Sequence, residues 1–297
     1  MTATRIDAGH IYYRSLLILL VLIWAISWPV IKVGVAAMPA LWFGCLRYVI
    51  GALCLFTLVA VRGGLALPPR SDWPLVAVSG ALQMGAYSAL TGLALIILPP
   101  GRASVLAFST PIWVVPLAAW WLHEPISWRA LLGAGTGLLG VIAIAAPSLQ
   151  VDGKEQIIAY AMLMGAAVTW AISIVFVRWH RFSATAFALA PWQMLVAAAL
   201  LLPLAIAVEG PLPAIGARGV ATLAYVGPVA TAFAYWAVVE AGRRFPASTM
   251  SMALLATPSL GVLISAVTLG ETVGVSLIAG VVLIGAGIRL ATANGSR

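Results

Sequence analysis

Ten stretches of about 20 nearly uncharged residues follow one another along this chain, separated only by short turns. As helix, such a stretch crosses about 30 Å of hydrocarbon, and in lipid only helices and closed barrels satisfy every backbone donor and acceptor. The stretches are continuously apolar rather than alternating, which excludes a barrel. A soluble fold is excluded as well. Of 297 residues, 63% are apolar and 8% charged, against about 25% charged in an ordinary soluble chain. The expected fold is an all-α membrane protein. Its ten spans are residues 13–35, 40–61, 73–95, 103–122, 128–146, 156–177, 184–208, 220–241, 247–269 and 273–291. The turns carry the usual breakers, among them Pro68-Pro69-Arg70, Pro99-Pro100-Gly101-Arg102, Asp152-Gly153-Lys154-Glu155 and Glu209-Gly210-Pro211.

The net charge of +8 does not mark a nucleic-acid binder, because the basic residues are scattered between apolar runs with no basic stripe. It marks sidedness instead. With ten spans both termini share a side, and that side carries eleven of the 16 basic residues, among them Arg62, Arg70, Arg178, Arg181, Arg243 and Arg244. Four (Lys32, Arg102, Lys154 and Arg218) fall opposite, and Arg47 lies inside the second span. The bias predicts cytoplasmic termini in an inner (cytoplasmic) membrane. The first apolar stretch is too long for a cleavable signal peptide. Cys45 and Cys54 lie in one span, nine apart, and read as small buried hydrophobes.

The chain repeats itself. Pro111, Glu124 and Gly133 recur 147 positions later as Pro258, Glu271 and Gly280, with Thr110 and Thr257 before the prolines and Gly80 and Gly227 at the same offset. At an offset of 146, Trp24-Ala25-Ile26-Ser27 returns as Trp170-Ala171-Ile172-Ser173, and Lys32 as Arg178. Residues 1–147 and 148–297 are therefore expected to form two five-span halves. Five is odd, so the second half enters the membrane inverted, with a central cavity near the midplane between the halves and access alternating by rocking.

These motifs resemble the EamA-type proteins of the drug/metabolite transporter superfamily. The resemblance rests on Trp24, Lys32, Ala103-Ser104 leading to Pro111 and Glu124, and the glycine-rich 133–140 span, then on Ala247-Ser248, Pro258, Glu271 and residues 280–287. It covers nearly the whole chain. The resemblance implies ten helices in two inverted halves around a central cavity and export of small metabolites, often amino acids. With 12 Trp and 7 Tyr, the chain is most similar to the aromatic amino-acid exporters. It lacks the acidic residue in the first span that the related small multidrug proteins use.

The candidate substrate-binding residues are Trp24, Ser27, Arg47, Gln83, Tyr87, Trp113, Trp170, Ser173 and Tyr235. Aromatic walls suit apolar or aromatic side chains and offer a cation–π surface to an amine. Arg47, too deep to be ignored, can answer a substrate carboxylate or fix helices as a structural contact. Ser27, Ser173, Thr110, Thr257, Gln83 and Gln193 can hydrogen-bond a substrate or their own helix. Pro111 and Pro258 bend their spans, and Glu124 and Glu271 at span ends fix loop geometry or gate. Small residues at Gly133, Gly137, Gly140, Gly280, Gly285 and Gly287 make spans five and ten packing or dimer faces, leaving monomer or homodimer open. No phosphate loop, dinucleotide fingerprint or metal cluster occurs, so neither cofactor nor metal is expected. The expected partners are a small-molecule substrate and the lipid bilayer. The rival readings are a polytopic membrane enzyme, for which too few polar groups lie at one depth, and a carrier of sugar phosphates or drugs. No Asp, Glu, Lys or His occupies the middle of a span, so transport is not expected to be obligatorily proton-driven. Glu240 is the carboxylate that could change that reading.

Overall fold

The computed structural model describes the chain except residues 1–7, 63, 65, 124–127, 150–152, 243–244, 246–249, 251–252, 255 and 293–297. Among the described residues the secondary structure is helix without strand. Helix α1 is Ala8–Ala37 and α2 is Ala40–Val61. Helix α3 runs as Trp73–Val78, a π-helical stretch Ser79–Ala86, and Tyr87–Ile97. Helix α4 has two pieces, Pro100–Ala107 and Thr110–Trp121. Then come α5 (Trp128–Leu149), α6 (Lys154–Trp179) and α7 (Ala186–Glu209). Helix α8 joins Ala217–Tyr225, a second π-helical stretch Val226–Phe233, and Ala234–Gly242. Helices α9 (Ala256–Leu269) and α10 (Val275–Thr292) follow. Seven of these helices are long and apolar enough to cross a membrane. The other three, α5, α9 and α10, contain shorter apolar stretches, Trp128–Ile144, Ala256–Leu269 and Val275–Leu290.

The interruption of α4 follows from one residue. Pro111 has no N–H, so the Ala107 carbonyl loses its helical donor. The Thr110 hydroxyl takes that place at 3.0 Å, and the Ser109 hydroxyl reaches the Leu106 carbonyl at 2.6 Å. In an apolar bundle a carbonyl left without a donor is costly, so the two hydroxyls make the break tolerable. Pro258 sits at the start of α9, and the neighbouring Thr257 hydroxyl is buried with no hydrogen-bond partner among the described residues.

Local irregularities repeat with the sequence. The π-helical stretches begin at Ser79 and Val226, 147 positions apart. Helix α4 is followed by His123 at φ 55° and α9 by Gly270 at φ 66°, again 147 apart. Packing follows the same exchange. α1 lies against α8 and α9, as α6 lies against α3 and α4, while α2 packs on α7 and α5 on α10. The α5–α10 contact is backbone on backbone. A Cβ on Gly287 would fall 2.5 Å from the Gly133 carbonyl oxygen, and one on Gly140 would fall 2.9 Å from the Gly280 oxygen. Small residues at these places let the two helices touch, the source of dispersion energy when lipid removes the hydrophobic drive.

At the rims of the bundle, helix ends are closed by side chains from elsewhere. The first N–H groups of a helix have no intrahelical acceptor, and a carboxylate there also meets the positive end of the helix dipole. Asp72, fully buried, accepts from the N–H groups of Ser183 and Ala184 just ahead of α7, at 3.1 and 2.8 Å. Glu209 accepts from Leu41 N at 3.0 Å and Trp42 N at 3.1 Å at the start of α2. Glu271 accepts from Gly101 N at 2.8 Å and Arg102 N at 3.2 Å at the start of α4. Lys32 does the converse, donating to the carbonyls of Leu95, Ile96 and Leu98 where α3 ends. Glu124 lies outside the described residues, as do Ala247 and Ser248.

Candidate functional site

Three helices aim polar side chains inward from one face each. On α3 the residues are Ser79, Gln83 and Tyr87, four apart. On α8 they are Thr231 and Tyr235, and on α2 Arg47 with Tyr48 beside it. Two of these faces run through π-helical stretches, a local unwinding that turns side chains off the regular helical pattern and recurs at functional sites.

Four of the sequence candidates come together between α3 and α6. Ser173 is buried, its hydroxyl 3.2 Å from Gln83 Oε1 and 3.3 Å from Ser79 Oγ. Tyr87 meets Trp170 edge to face at 5.0 Å, and Trp170 continues through Phe108 to Trp28. A second group joins α2, α7 and α8. Arg47 donates from Nε to Thr231 Oγ1 at 3.3 Å and lies 4.9 Å from the Tyr48 ring centre. Tyr235 donates to Gln193 Oε1 at 3.0 Å. Tyr48 ties the groups together, since both Tyr87 and Tyr235 lie within its electrostatic reach, and Tyr87 within that of Arg47.

The remaining candidates stand differently. Trp24 is half-buried and donates to the Ala230 carbonyl, next to Thr231, at 3.3 Å. Ser27 bonds its own helix at the Trp24 carbonyl, 2.7 Å away. The Trp113 indole N–H is buried without an acceptor among the described residues. Asp72, Glu209, Tyr48 and Thr231 were not singled out from the sequence. The two acids show there only as charges at span edges, and the cation–π ring beside Arg47 was legible as its neighbour in sequence.

Repeat-related positions differ most where polar groups gather. At the 147 offset, Arg47 corresponds to Met194, Gln83 to Ala230 and Tyr235 to Ser88. The duplicated frame carries an unduplicated set of polar side chains, concentrated on α2, α3 and α8. Such a set can hold one carboxylate, one apolar or aromatic body and an amine over a ring face. Among the described residues no three of His, Cys, Asp and Glu gather to hold a metal ion.

A cleft of about 510 Å³ opens at one end of the bundle, lined by Lys32, Val33, Arg102, Leu269, Glu271 and Thr272. Burial pushes the Glu271 carboxyl above the usual carboxylate range, with the N–H groups of Gly101 and Arg102 and the charges of Arg102 and Lys32 pulling the other way.

Against known proteins, the model of the EamA-like transporter family matches residues 13–146 and again residues 157–293. A probable terminal-alkyne amino-acid exporter of Streptantibioticus cattleyicolor is 28% identical over 279 residues, 90% of this chain and 91% of that protein. A probable amino-acid metabolite efflux pump of Salmonella typhimurium is 27% identical over 288 residues, 92% of each chain. A crystal structure 23% identical in sequence superposes with a TM-score of 0.65 over 96% of this chain and 99% of its own, a likeness of fold.

Proposed function

The chain belongs to the EamA-like transporter family, and from that premise we propose that it exports amino acids, aromatic or otherwise apolar, by alternating access. It is a multi-pass membrane transporter of small metabolites, not an enzyme. The finer reading places ten spans in two inverted halves, residues 1–147 and 148–297, with both termini cytoplasmic in the inner membrane. The recurrence of the π-helical stretches and of the packing supports those halves. The positive-inside bias supports the orientation.

The observation that carries the substrate class is Arg47. It is a permanent cation inside the bundle that no carboxylate pairs with among the described residues, and the Tyr48 ring lies beside it. Leaving such a charge without an anion is unfavourable in low dielectric, and a substrate carboxylate supplies one. Trp24, Gln83, Tyr87, Trp170, Ser173 and Tyr235 then contact the rest of the molecule, while Ser27 and Trp113 line the path. Pro111, Pro258, Glu124 and Glu271 serve bending and gating. The names of the relatives point to the same class. A lone deep cation argues against sugar phosphates, whose two or more charges call for more.

The test is counterflow in liposomes holding the purified protein, with a panel of aromatic, aliphatic and charged amino acids beside sugar phosphates and cationic drugs. Exchange confined to amino acids is expected. Exchange of sugar phosphates or cationic drugs with none of the amino acids would end this reading.

A further inference from the structure

The helical threonines help separate ordinary from unusual use of a hydroxyl, Thr110 and Thr169 bonding carbonyls three residues back and Thr257 finding no partner among the described residues. In Thr57, Thr91, Thr136, Thr222 and Thr268 the hydroxyl bonds the carbonyl one turn earlier on the same helix. This local bond is the default for threonine in an apolar helix. Thr231 departs from it. Its oxygen accepts from Arg47 Nε at 3.3 Å, across from α8 to α2, and it is 5% exposed.

Two further features hold Thr231 in that role. It lies in the π-helical stretch Val226–Phe233. Its methyl sits against Gly51, where an added Cβ would come within 2.9 Å of Thr231 Cγ2. Gly51 is one turn beyond Arg47 on α2, so the methyl packs on one turn while the hydroxyl faces the guanidinium on the turn before. The bond occupies the Nε edge of Arg47. The two terminal nitrogens hydrogen-bond to nothing among the described residues, and they form the fork that a carboxylate accepts in two parallel bonds.

We propose that Thr231 is the positioning residue that makes Arg47 selective for a carboxylate: by holding the Nε edge it fixes the plane of the guanidinium and leaves the terminal fork for the substrate. This rests on the amino-acid reading above, and it assigns discrimination between an acid and its amide to a pair of side chains from α2 and α8. Hydrogen bonds to charged groups are worth enough that losing the hold on Nε weakens carboxylate binding by about tenfold.

Two variants divide the hydroxyl from the methyl. Thr231→Val keeps the shape against Gly51 and removes the acceptor. Thr231→Ser keeps the acceptor and removes the methyl. Purified protein in liposomes is assayed with L-phenylalanine and L-leucine against their amides, and thermal unfolding is followed in parallel. The expected result for Thr231→Val is an apparent KM raised about tenfold for the acids and little changed for the amides. Thr231→Ser keeps the wild-type ratio even if it unfolds earlier. Equal losses on acids and amides, or a Ser variant that loses selectivity as Val does, would make Thr231 a packing residue and overturn the proposal. A wild type that prefers the acids, with a folded Val variant of unchanged ratio, overturns it alone. A wild type that moves neither acids nor amides overturns the amino-acid reading and this inference with it.

Discussion

A guanidinium is a fixed cation in proteins, and that of Arg47 is held at Nε by Thr231 and faced by the Tyr48 ring. The proposed inner site therefore works with a constant charge, and what surrounds the guanidinium would set its selectivity. Trp170 is the residue to remove first on the apolar side, since it touches both Tyr87 and Phe108. Aromatic pairs of this kind are worth about 0.5–1.5 kcal/mol each. Trp170→Ala should lower transport of phenylalanine roughly tenfold while sparing small substrates such as alanine, as competition against labelled leucine would reveal. Equal loss on both would mean that the ring packs helices only. Glu271 is the residue where pH enters. Its carboxyl is raised by burial against the start of α4; free of that contact the value is ordinary, about 4.3. A group raised in one state binds protons more readily there, so proton uptake favours the state in which Glu271 rests on α4. Acidifying the Glu271 side from neutrality toward the raised value should then slow exchange. Glu271→Gln, a neutral mimic, should be slow and flat with pH. A Gln variant that keeps the wild-type pH profile would place the sensor elsewhere.

Helix pairs translate these side chains into a frame. The α5–α10 pair is set by Gly133, Gly140, Gly280 and Gly287, and Gly287→Leu would drive a side chain into the Gly133 carbonyl and the Gly137 nitrogen. Neither is a flexible group, so the helices must separate, and overpacking by even a few atoms costs about 1–3 kcal/mol. The expected outcome is a fall in the unfolding temperature in detergent, by fluorescence, with Gly285→Leu nearly silent because nothing lies within 4 Å of that site. Much at this scale was legible in the sequence. Proline acts on the backbone four residues back, so Pro111 announces the break in α4, and glycine spacing marks α5 and α10 as packing or dimer faces without saying that they meet each other. Cross-helix relations were not legible. Glu209 caps α2 and Asp72 binds the turn ahead of α7, each more than a hundred positions away, and a span-edge acid looks the same whether it makes such a contact or faces water. Thr231 looks like any helical threonine until α2 is packed beside it. Ser27, the repeat mate of Ser173, bonds its own helix, while Ser173 reaches α3. Duplication preserves position, and partners depend on what the opposite half has become.

The whole molecule is held at its two rims by caps that pair one half of the proposed repeat with the other. Asp72 reaches from the first half to α7, and Glu209 and Glu271 reach from the second to α2 and α4. If the halves rock, these contacts must yield in alternation, and the driving force must come from whatever binds differently in the two states. Proton antiport would need a titrating group in the path that competes with substrate. Among the described residues, the polar groups around Arg47 are hydroxyls, amides and rings rather than acids or histidines, and Glu271 sits at a rim, where it can alter the rate without linking each proton to each substrate. Glu240, near the end of α8, accepts from Tyr13 at 3.3 Å, which ties it to α1. Export down the substrate's own gradient is therefore the expected mode. In liposomes without a membrane potential, labelled substrate should come to equal concentration on both sides, and an imposed pH gradient should change the speed of approach but not the end point. Accumulation above equilibrium, driven by that gradient and lost in Glu240→Gln, would make the Tyr13–Glu240 contact a coupling site. Accumulation lost instead in Glu271→Gln would make the rim carboxylate a carrier of the proton.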